Sequence, residues 1–350
     1  MTGGRLAGLL LLGGFVFALV VLTKSSPKAP LESERKTAAA TPHHFTGPTT
    51  CLPCHRQVVD EWEESMHARS FTDPQVRARG QTDNFSKTEC LPCHAPADIF
   101  RHGIEEGSRV LARVEQRLNG VDCVSCHRTA SGMAASRAGL NGLCQPTYQP
   151  ALSTHLLCAG CHDQHNTHQE WLASPAFQAG EDCMSCHMPR VNRSGTEVGA
   201  PRSGRSHRFL GGRDREFALS GLELTHHIDQ ANGVLVVSLE NTFAGHNLPT
   251  DSRNRAIDLV VTLFDSRGEP LHKAVTEAGR TEGTARLRFR NPYRSAGQPN
   301  TQIPPGETRT LTVDLSPEVH RATIKVLYTL EPYIPDHAAH WSQEWEVQLP

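Results

Sequence analysis

Ten of the eleven cysteines in this 350-residue chain fall into five C-x-x-C-H motifs. Two thiols at this spacing can form thioethers with the two vinyl groups of one haem, and the next imidazole can bind its iron. The spacing therefore predicts five covalently attached haems. The attachment residues are Cys51 and Cys54, Cys90 and Cys93, Cys123 and Cys126, Cys158 and Cys161, and Cys183 and Cys186, and the proximal ligands are His55, His94, His127, His162 and His187.

Other uses of paired cysteines fit this pattern less well. Zinc sites also contain C-x-x-C, but they do not require a histidine directly after the second cysteine. A thioredoxin-like redox motif is expected once, near a βαβ pattern, and a disulfide framework does not fix the spacing of its cysteines. The five regular motifs favour haem attachment over all three.

The remaining histidines are candidates for the second axial position of each iron. Setting aside the five motif residues leaves 15 of the 20 histidines, and a lone histidine is more often a surface or hydrogen-bonding residue than a ligand. We predict four distal ligands: His67, His155, His207 and His246. Weaker candidates are His102, His165, His168, His226 and His227, and no such role is expected for His43 and His44.

The elements that position these residues change along the chain. The five motifs begin 39, 33, 35 and 25 residues apart within residues 47–212, which we expect to form a pentahaem domain of short helices and loops. Apolar residues at near-helical spacing predict helices in Gln57–His67 and Ser108–Leu118. Such short intervals place neighbouring haems close together, as electron hopping requires.

Residues 222–350 have a strand-like pattern and no cysteine. We predict six strands separated by turn sequences such as Ser266-Arg267-Gly268 and Pro304-Pro305-Gly306. The number of strands indicates an antiparallel β-sandwich of immunoglobulin-like type, and an α+β multidomain protein as a whole. The predicted strands are Val234–Leu239, Ile257–Phe264, Ala285–Phe289, Thr308–Leu315, Ala322–Leu330 and Trp345–Leu349. His246 follows the first of them, in a loop that could reach a haem.

The N-terminus predicts a location outside the cytoplasm. Leu6–Leu22 is an uncharged run, so residues 1–23 are interpreted as an N-terminal membrane helix or, alternatively, a cleaved signal segment. Residues 24–46 have a linker-like composition. We expect the protein on the periplasmic side of a bacterial inner membrane, or free in the periplasm if the segment is cleaved.

Several of these segments resemble the cytochrome c554 class of multihaem cytochromes with a C-terminal β-domain. The resemblance is carried by Trp62-x-x-Ser65-x-His67-Ala68, by Gln169–Pro175 leading to the last motif, by Ser206–Gly212 and by Ala244–Thr250. It implies bis-histidine haems with His67, His155, His207 and His246 as distal ligands, and electron transfer in respiration or nitrogen metabolism. The chain departs from the family pattern at Ala176, where a second Trp-x-x-Ser-x-His would end in histidine.

Two classes of function follow from these features. One is an electron carrier between a quinol-oxidising membrane protein and a soluble cytochrome or reductase, which could also be a subunit of a larger respiratory complex. The other is an oxidoreductase that acts on a small nitrogen or sulfur compound at one five-coordinate haem. Ammonia-forming nitrite reductases typically hold their catalytic haem with C-x-x-C-K, which this chain lacks, so the carrier is favoured.

Charge and the leftover residues add three smaller expectations. The net charge of −2 gives no indication of a nucleic-acid partner. Seven arginines between Arg190 and Arg215 could form a docking patch or pair with haem propionates. Cys144 lies outside the motifs and is expected to be a buried, inert thiol rather than an axial or reactive one.

Overall fold

The computed structural model describes residues 45–82, 90–102, 104, 109–140, 142–196, 199–271, 280–281, 284–292, 297–331 and 333–349. The predicted membrane segment, and the linker as far as residue 44, lie outside these residues. Among the helices of the described part, none has the length and apolar character needed to span a bilayer. Residues 43–350 form one structural unit.

Short helices dominate the first half of the described chain. Three of them begin at or next to a motif cysteine, a fourth begins two residues before Cys158, and the first helix contains the Cys51 motif. The helices are α1 (Pro48–Glu63), α2 (Met66–Arg69), α3 (Pro74–Thr82), α4 (Leu91–His94), α5 (Ile99–His102), α6 (Cys123–His127), α7 (Leu156–His162), α8 (Thr167–Leu172), α9 (Pro175–Gln178), α10 (Cys183–His187) and α11 (Arg215–Ser220), with 3₁₀ turns at Arg117–Asn119, Pro150–Ser153 and Asp336–Ala338.

The predicted helix over Gln57–His67 is present but interrupted. α1 begins with Pro48, whose missing N–H costs nothing in the first turn, and it ends before Ser65. The Ser65 hydroxyl donates to the Trp62 carbonyl and accepts from the Ala68 amide, so one side chain closes α1 and caps α2. Because of this break, His67 belongs to α2 and not to α1.

The predicted helix over Ser108–Leu118 is wrong. Residues 109–116 are not helical, and Ala112 pairs with Pro96 in an isolated antiparallel bridge. Val114 and Leu118, which helical spacing assigned to a buried face, are 84% and 70% exposed. Arg113 explains the extended course, because its guanidinium turns inward and donates to both carboxylate oxygens of Asp122 at 2.9 and 2.7 Å.

Two small sheets complete the haem-motif half. Strands β1 (Met133–Ala135) and β2 (Pro146–Tyr148) pair in parallel, and β3 (Arg190–Ser194) and β4 (Pro201–Arg205) form an antiparallel hairpin. β1 positions the Ala134 carbonyl against His127, and the β3–β4 connection contributes Gly195 to the surroundings of His55.

The second half forms two antiparallel sheets. A three-stranded sheet has the order β10-β6-β5, and a five-stranded sheet has the order β12-β11-β7-β9-β8. Its strands are β5 (Leu222–Asp229), β6 (Val234–Asn241), β7 (Ala256–Phe264), β8 (Arg280–Thr281), β9 (Thr284–Phe289), β10 (Thr308–Asp314), β11 (Arg321–Thr329) and β12 (Trp341–Gln348). The α+β prediction is confirmed, and all six predicted strands appear with small shifts at their ends.

One apolar core joins the two sheets. Alternate residues of β6, namely Leu235, Val237 and Leu239, are buried, as strand periodicity requires, and they pack with Leu259 and Val261 of the facing sheet. β5 was not predicted, because the exposed His226 and His227 interrupt the alternation of its apolar residues. The immunoglobulin-like classification and the predicted domain boundaries stay predictions.

Candidate haem sites

A single large cavity lies among the helices that bear the motifs. It has a volume of about 3040 Å³ and is lined by all ten motif cysteines and all five motif histidines. A pocket for one drug-sized ligand has a volume of about 300–1,000 Å³, so this cavity has room for several large cofactors.

Thiols of different motifs approach one another in this cavity. Cys51 hydrogen-bonds to Cys123, and Cys158 hydrogen-bonds to Cys183. Burial raises the pKa of Cys126 to about 12, which keeps that thiol protonated rather than available as a metal-binding thiolate. Among the described residues no group of three or more His, Cys, Asp or Glu side chains is arranged to hold a metal ion. The motifs are therefore clustered and suited to thioether attachment.

Three motif histidines face a second imidazole across the cavity. The ring centroids are 6.1 Å apart for His162 and His67, 6.3 Å for His127 and His207, and 6.1 Å for His187 and His246. A metal–imidazole bond measures about 2 Å and the ring centroid lies about 1 Å beyond the nitrogen, so two rings on opposite sides of one ion are about 6 Å apart. These three pairs fit the two axial positions of a haem iron.

Hydrogen bonds fix the tautomer of four motif histidines. Each Nδ1 lies 2.6–2.9 Å from a backbone carbonyl, which can only accept, so Nδ1 carries the proton and Nε2 keeps its lone pair for a metal. The acceptors are Gly195 for His55, Ser70 for His94, Ala134 for His127 and Leu210 for His187.

The facing histidines are held neutral by their surroundings. Burial, together with nearby histidines, lowers the pKa of His67 to about 3. Burial also lowers the pKa of His207 and of His246 to about 4. Nδ1 of His246 lies 3.0 Å from the Asn247 carbonyl, so its Nε2 is again the atom available to a metal. Nδ1 of His207 lies 3.0 Å from the Arg205 carbonyl and 3.4 Å from the Arg193 guanidinium, so its contacts do not select one tautomer.

The third and fifth motifs share a local frame, Asp-Cys-x-Ser-Cys-His. Asp122 and Asp182 are the N-caps of α6 and α10, and each carboxylate accepts the backbone amide of the serine three residues later. An N-cap of this kind contributes about 1 kcal/mol. It holds a five-residue helix in place so that its histidine has a defined direction.

Comparison with known proteins gives similarities in family and in fold. Residues 50–128 match the family model for cytochrome c554 and c-prime. The fold is similar to that of a pentahaem cytochrome c552 from Thermochromatium tepidum, with a TM-score of 0.62 and 19% sequence identity over 87% of this chain and 99% of that one. Residues 50–128 therefore resemble this cytochrome family, and the chain has the fold of a pentahaem c-type cytochrome. No curated protein matches it.

His155 lies in different surroundings from the other three predicted distal ligands. Nδ1 of His155 lies 2.8 Å from Nε2 of His168, and the two rings stack with centroids 5.0 Å apart. His168 is buried against Trp171 and lines the cavity, whereas His155 is not part of the cavity wall. A ligand role for His155 stays a prediction, and His168 has the more direct access to the cavity.

The weaker candidates for distal ligands differ in where they lie. His165 lines the cavity, and His226 and His227 are exposed on β5. The side chain of His102 and the whole of His43 and His44 lie outside the described residues. Cys144 is half-buried and lines the cavity, and burial raises the pKa of its thiol, as expected for an unreactive cysteine.

The arginines between Arg190 and Arg215 pair largely with carboxylates of the same chain. Arg193 binds Glu61 at 2.6 Å, Arg213 binds Asp73 at 2.9 Å and Arg208 binds Glu64 at 3.0 Å, while Arg205 lies 3.9 Å from Asp182. These contacts fasten the segment after the last motif onto α1 and its neighbours. They leave fewer of the seven arginines for a docking patch than the sequence suggested.

Sequence reasoning missed several residues that shape the site. Asp251 and Arg255, an ion pair at 3.2 Å, come from the loop before β7 and line the cavity from the β side. Glu61 and Glu170 bind the segments that carry His207 and His246. A repeated Glu-Trp-x-x-Ser sequence was a signal for the last two, whereas Asp251 and Arg255 had none.

Proposed function

We propose that this cytochrome carries five c-type haems and moves electrons between redox proteins, from a quinol-oxidising membrane protein to a soluble cytochrome or reductase. The observation that supports it is the set of three histidine pairs at 6.1–6.3 Å. An iron with imidazole on both sides keeps no open position for a substrate, which suits electron transfer rather than catalysis.

The chain contributes ligand orientation and a closed environment. The carbonyl partners of the motif histidines fix which nitrogen faces the metal, and they raise the basicity of the imidazole. A bound haem would supply a one-electron couple, with a potential set by axial ligands, hydrogen bonds and burial. Cys51 and Cys123, which belong to different motifs, are in contact, so haems attached to them would lie close together.

The proposal includes a location on the periplasmic side of the inner membrane. Covalent haem attachment by C-x-x-C-H takes place outside the cytoplasmic membrane, and Leu6–Leu22 has the composition of an anchor or signal segment. Membrane fractionation before and after deletion of residues 1–23 tests the anchor. Recovery of the full-length protein in the soluble periplasmic fraction would favour a cleaved segment.

Single replacements of the facing histidines test the ligand assignments. His67→Ala, His207→Ala and His246→Ala should each convert one haem from low to high spin, about one-fifth of the total signal, because each removes one axial ligand. The exposed His226→Ala variant is the matched control and should leave the spectrum unchanged. Unaltered low-spin spectra for all three variants would contradict the proposed ligation.

Counting and turnover test the rest of the proposal. The pyridine haemochrome absorbance per mole of chain should correspond to five haems. The chemically reduced protein should be reoxidised quickly by a soluble c-type cytochrome and should not reduce nitrite or hydroxylamine. Steady turnover of either compound would replace the carrier with an oxidoreductase.

A further inference from the structure

The sequence Glu-Trp-x-x-Ser occurs twice and forms the same local structure each time. The copies are Glu61–Ser65 and Glu170–Ser174. The second directly precedes the Asp182 motif, whereas the Cys90 motif lies between the first copy and the Asp122 motif. In both copies the serine hydroxyl donates to the tryptophan carbonyl, at 2.6 and 2.7 Å, and accepts the backbone amide three residues on at 3.3 Å. The glutamate therefore has the same position relative to the tryptophan and the serine in both copies.

In the first copy the glutamate binds the segment that carries His207. Glu61 Oε2 accepts the backbone N–H of His207 at 2.8 Å. The carboxylate is itself fixed by Arg193, whose Nε donates to Oε1 at 2.6 Å. Both side chains are mostly buried, at 17% and 12% exposure, so the contact is shielded from solvent. His207 faces His127, the histidine of the Asp-Cys-x-Ser-Cys-His motif that follows this copy.

In the second copy the glutamate binds the loop that carries His246, which belongs to the β-sheet half. Glu170 Oε2 accepts the backbone N–H of Asn247 at 3.3 Å and the hydroxyl of Thr250 at 2.9 Å. The Thr250 and Thr167 hydroxyls are 2.8 Å apart, which adds a second link to α8. His246 faces His187, again the histidine of the motif that follows the copy.

We infer that Glu61 and Glu170 are equivalent positioning residues, each of which fixes the backbone beside one distal histidine and so keeps that imidazole on its haem iron. The inference rests on the proposed ligation by His207 and His246. A carboxylate that accepts a backbone N–H forms a charge-assisted hydrogen bond, which is stronger than a neutral one. The two glutamates act on different haems, so their effects should be separate.

The close approach of Gly245 to Ala176 and Trp171 is a second contact between the His246 loop and the second Glu-Trp-x-x-Ser copy. A Cβ atom at Gly245 would lie 3.0 Å from the Ala176 Cβ and 3.2 Å from Trp171 Cδ1. Ala176 stands where the first copy has His67, so the departure from Trp-x-x-Ser-x-His leaves space for the loop of the other half. The second copy thus receives a histidine-bearing loop at the position where the first copy supplies a histidine of its own.

The decisive variants are Glu170→Ala and Glu170→Gln in the full-length holoprotein. Glu170→Ala removes the acceptor, so one haem should become partly high-spin and its affinity for cyanide should rise about 10-fold, the usual scale of outer-shell effects on a metal site. Glu170→Gln keeps an acceptor oxygen and should stay low-spin, which a role through charge alone would not predict. Glu63→Ala, an exposed residue on α1, is the control.

Glu61→Ala should produce the same change at a different haem, so the double variant with Glu170→Ala should show two altered signals. If Glu170→Ala does not accumulate, Gly245→Ala tests the same loop, because its methyl group meets Ala176. A low-spin, cyanide-inert Glu170→Ala or Gly245→Ala protein, beside a high-spin His246→Ala protein, overturns the inference and leaves the ligation intact. An unchanged His246→Ala spectrum would instead refute the ligation itself.

Discussion

The two halves of the protein are stabilised by different means. The β half has a continuous core in which Leu235, Leu259 and Ile324 have no exposed surface. The haem-motif half has one small apolar cluster around Val59 and Trp62, and its helices surround a large cavity. One half can therefore bury its own side chains against each other, whereas the other needs a cofactor to fill its interior.

Haem removal should give the largest difference between the halves. In the full chain made without haem attachment, by replacing all ten motif cysteines with alanine, residues 47–212 should lose protection from proteolysis. The strands of the β half should remain protected, because their core is complete without cofactor. Mass spectrometry of the proteolytic fragments measures this. Equal protection of both halves would contradict the comparison.

Arg113→Ala should destabilise the haem-motif half through a buried charge. Arg113 and Asp122 are 9% and 0% exposed and 2.7 Å apart, so the replacement leaves Asp122 buried without its cation. Breaking a pair of this kind costs about 3–5 kcal/mol. Denaturant unfolding followed by haem absorbance should show the loss, with Arg109→Ala, an exposed neighbour, as the control. A change below about 1 kcal/mol would mean that water compensates the carboxylate.

Leu239→Ala should destabilise the β half and leave the haem spectrum unchanged. Leu239 is 1% exposed in the core between the sheets, and removing such a side chain costs about 2–5 kcal/mol. Tryptophan fluorescence, which reports Trp341 and Trp345 among others, should detect earlier unfolding. A shift in the haem spectrum at low denaturant would show that the halves do not unfold independently.

The smallest effect is expected for Lys325→Ala on the outer face of the β half. Lys325 and Glu344 lie 2.9 Å apart across β11 and β12, and they are 39% and 48% exposed. Exposed pairs contribute about 0–1 kcal/mol, so unfolding should move by less than the change seen for Leu239→Ala. A larger loss would indicate that this face is buried against something else.

The sequence predicted the chemistry of the haem-motif half better than its shape. The C-x-x-C-H motifs fix attachment and proximal ligand within five residues, which is why the multihaem cytochrome was recognisable. His67, His207 and His246 lie opposite motif histidines, as short family-like segments suggested. Which motif each one faces depends on how distant segments fold back, and spacing does not contain that information.

The errors have physical causes. The helix over Ser108–Leu118 was predicted from apolar spacing, but the buried bond between Arg113 and Asp122 holds this segment in another course. In the β half, alternation located β6, whereas β7 and β11 are buried on both faces and were located as continuous apolar runs. β5 was not predicted because His226 and His227 interrupt its apolar pattern. Polar contacts between distant residues decided the outcome where periodicity failed.

The most direct test of the electron-carrier proposal is a low-temperature EPR spectrum of the oxidised holoprotein, with and without cyanide. The electron-carrier proposal predicts that all five haems are low-spin and that cyanide leaves the spectrum unchanged, which requires a second axial ligand for the haems of His55 and His94 as well as for the three with a facing imidazole. A high-spin signal that cyanide converts to low spin would show an open coordination site. That result would contradict the electron-carrier assignment and make that haem the candidate catalytic centre.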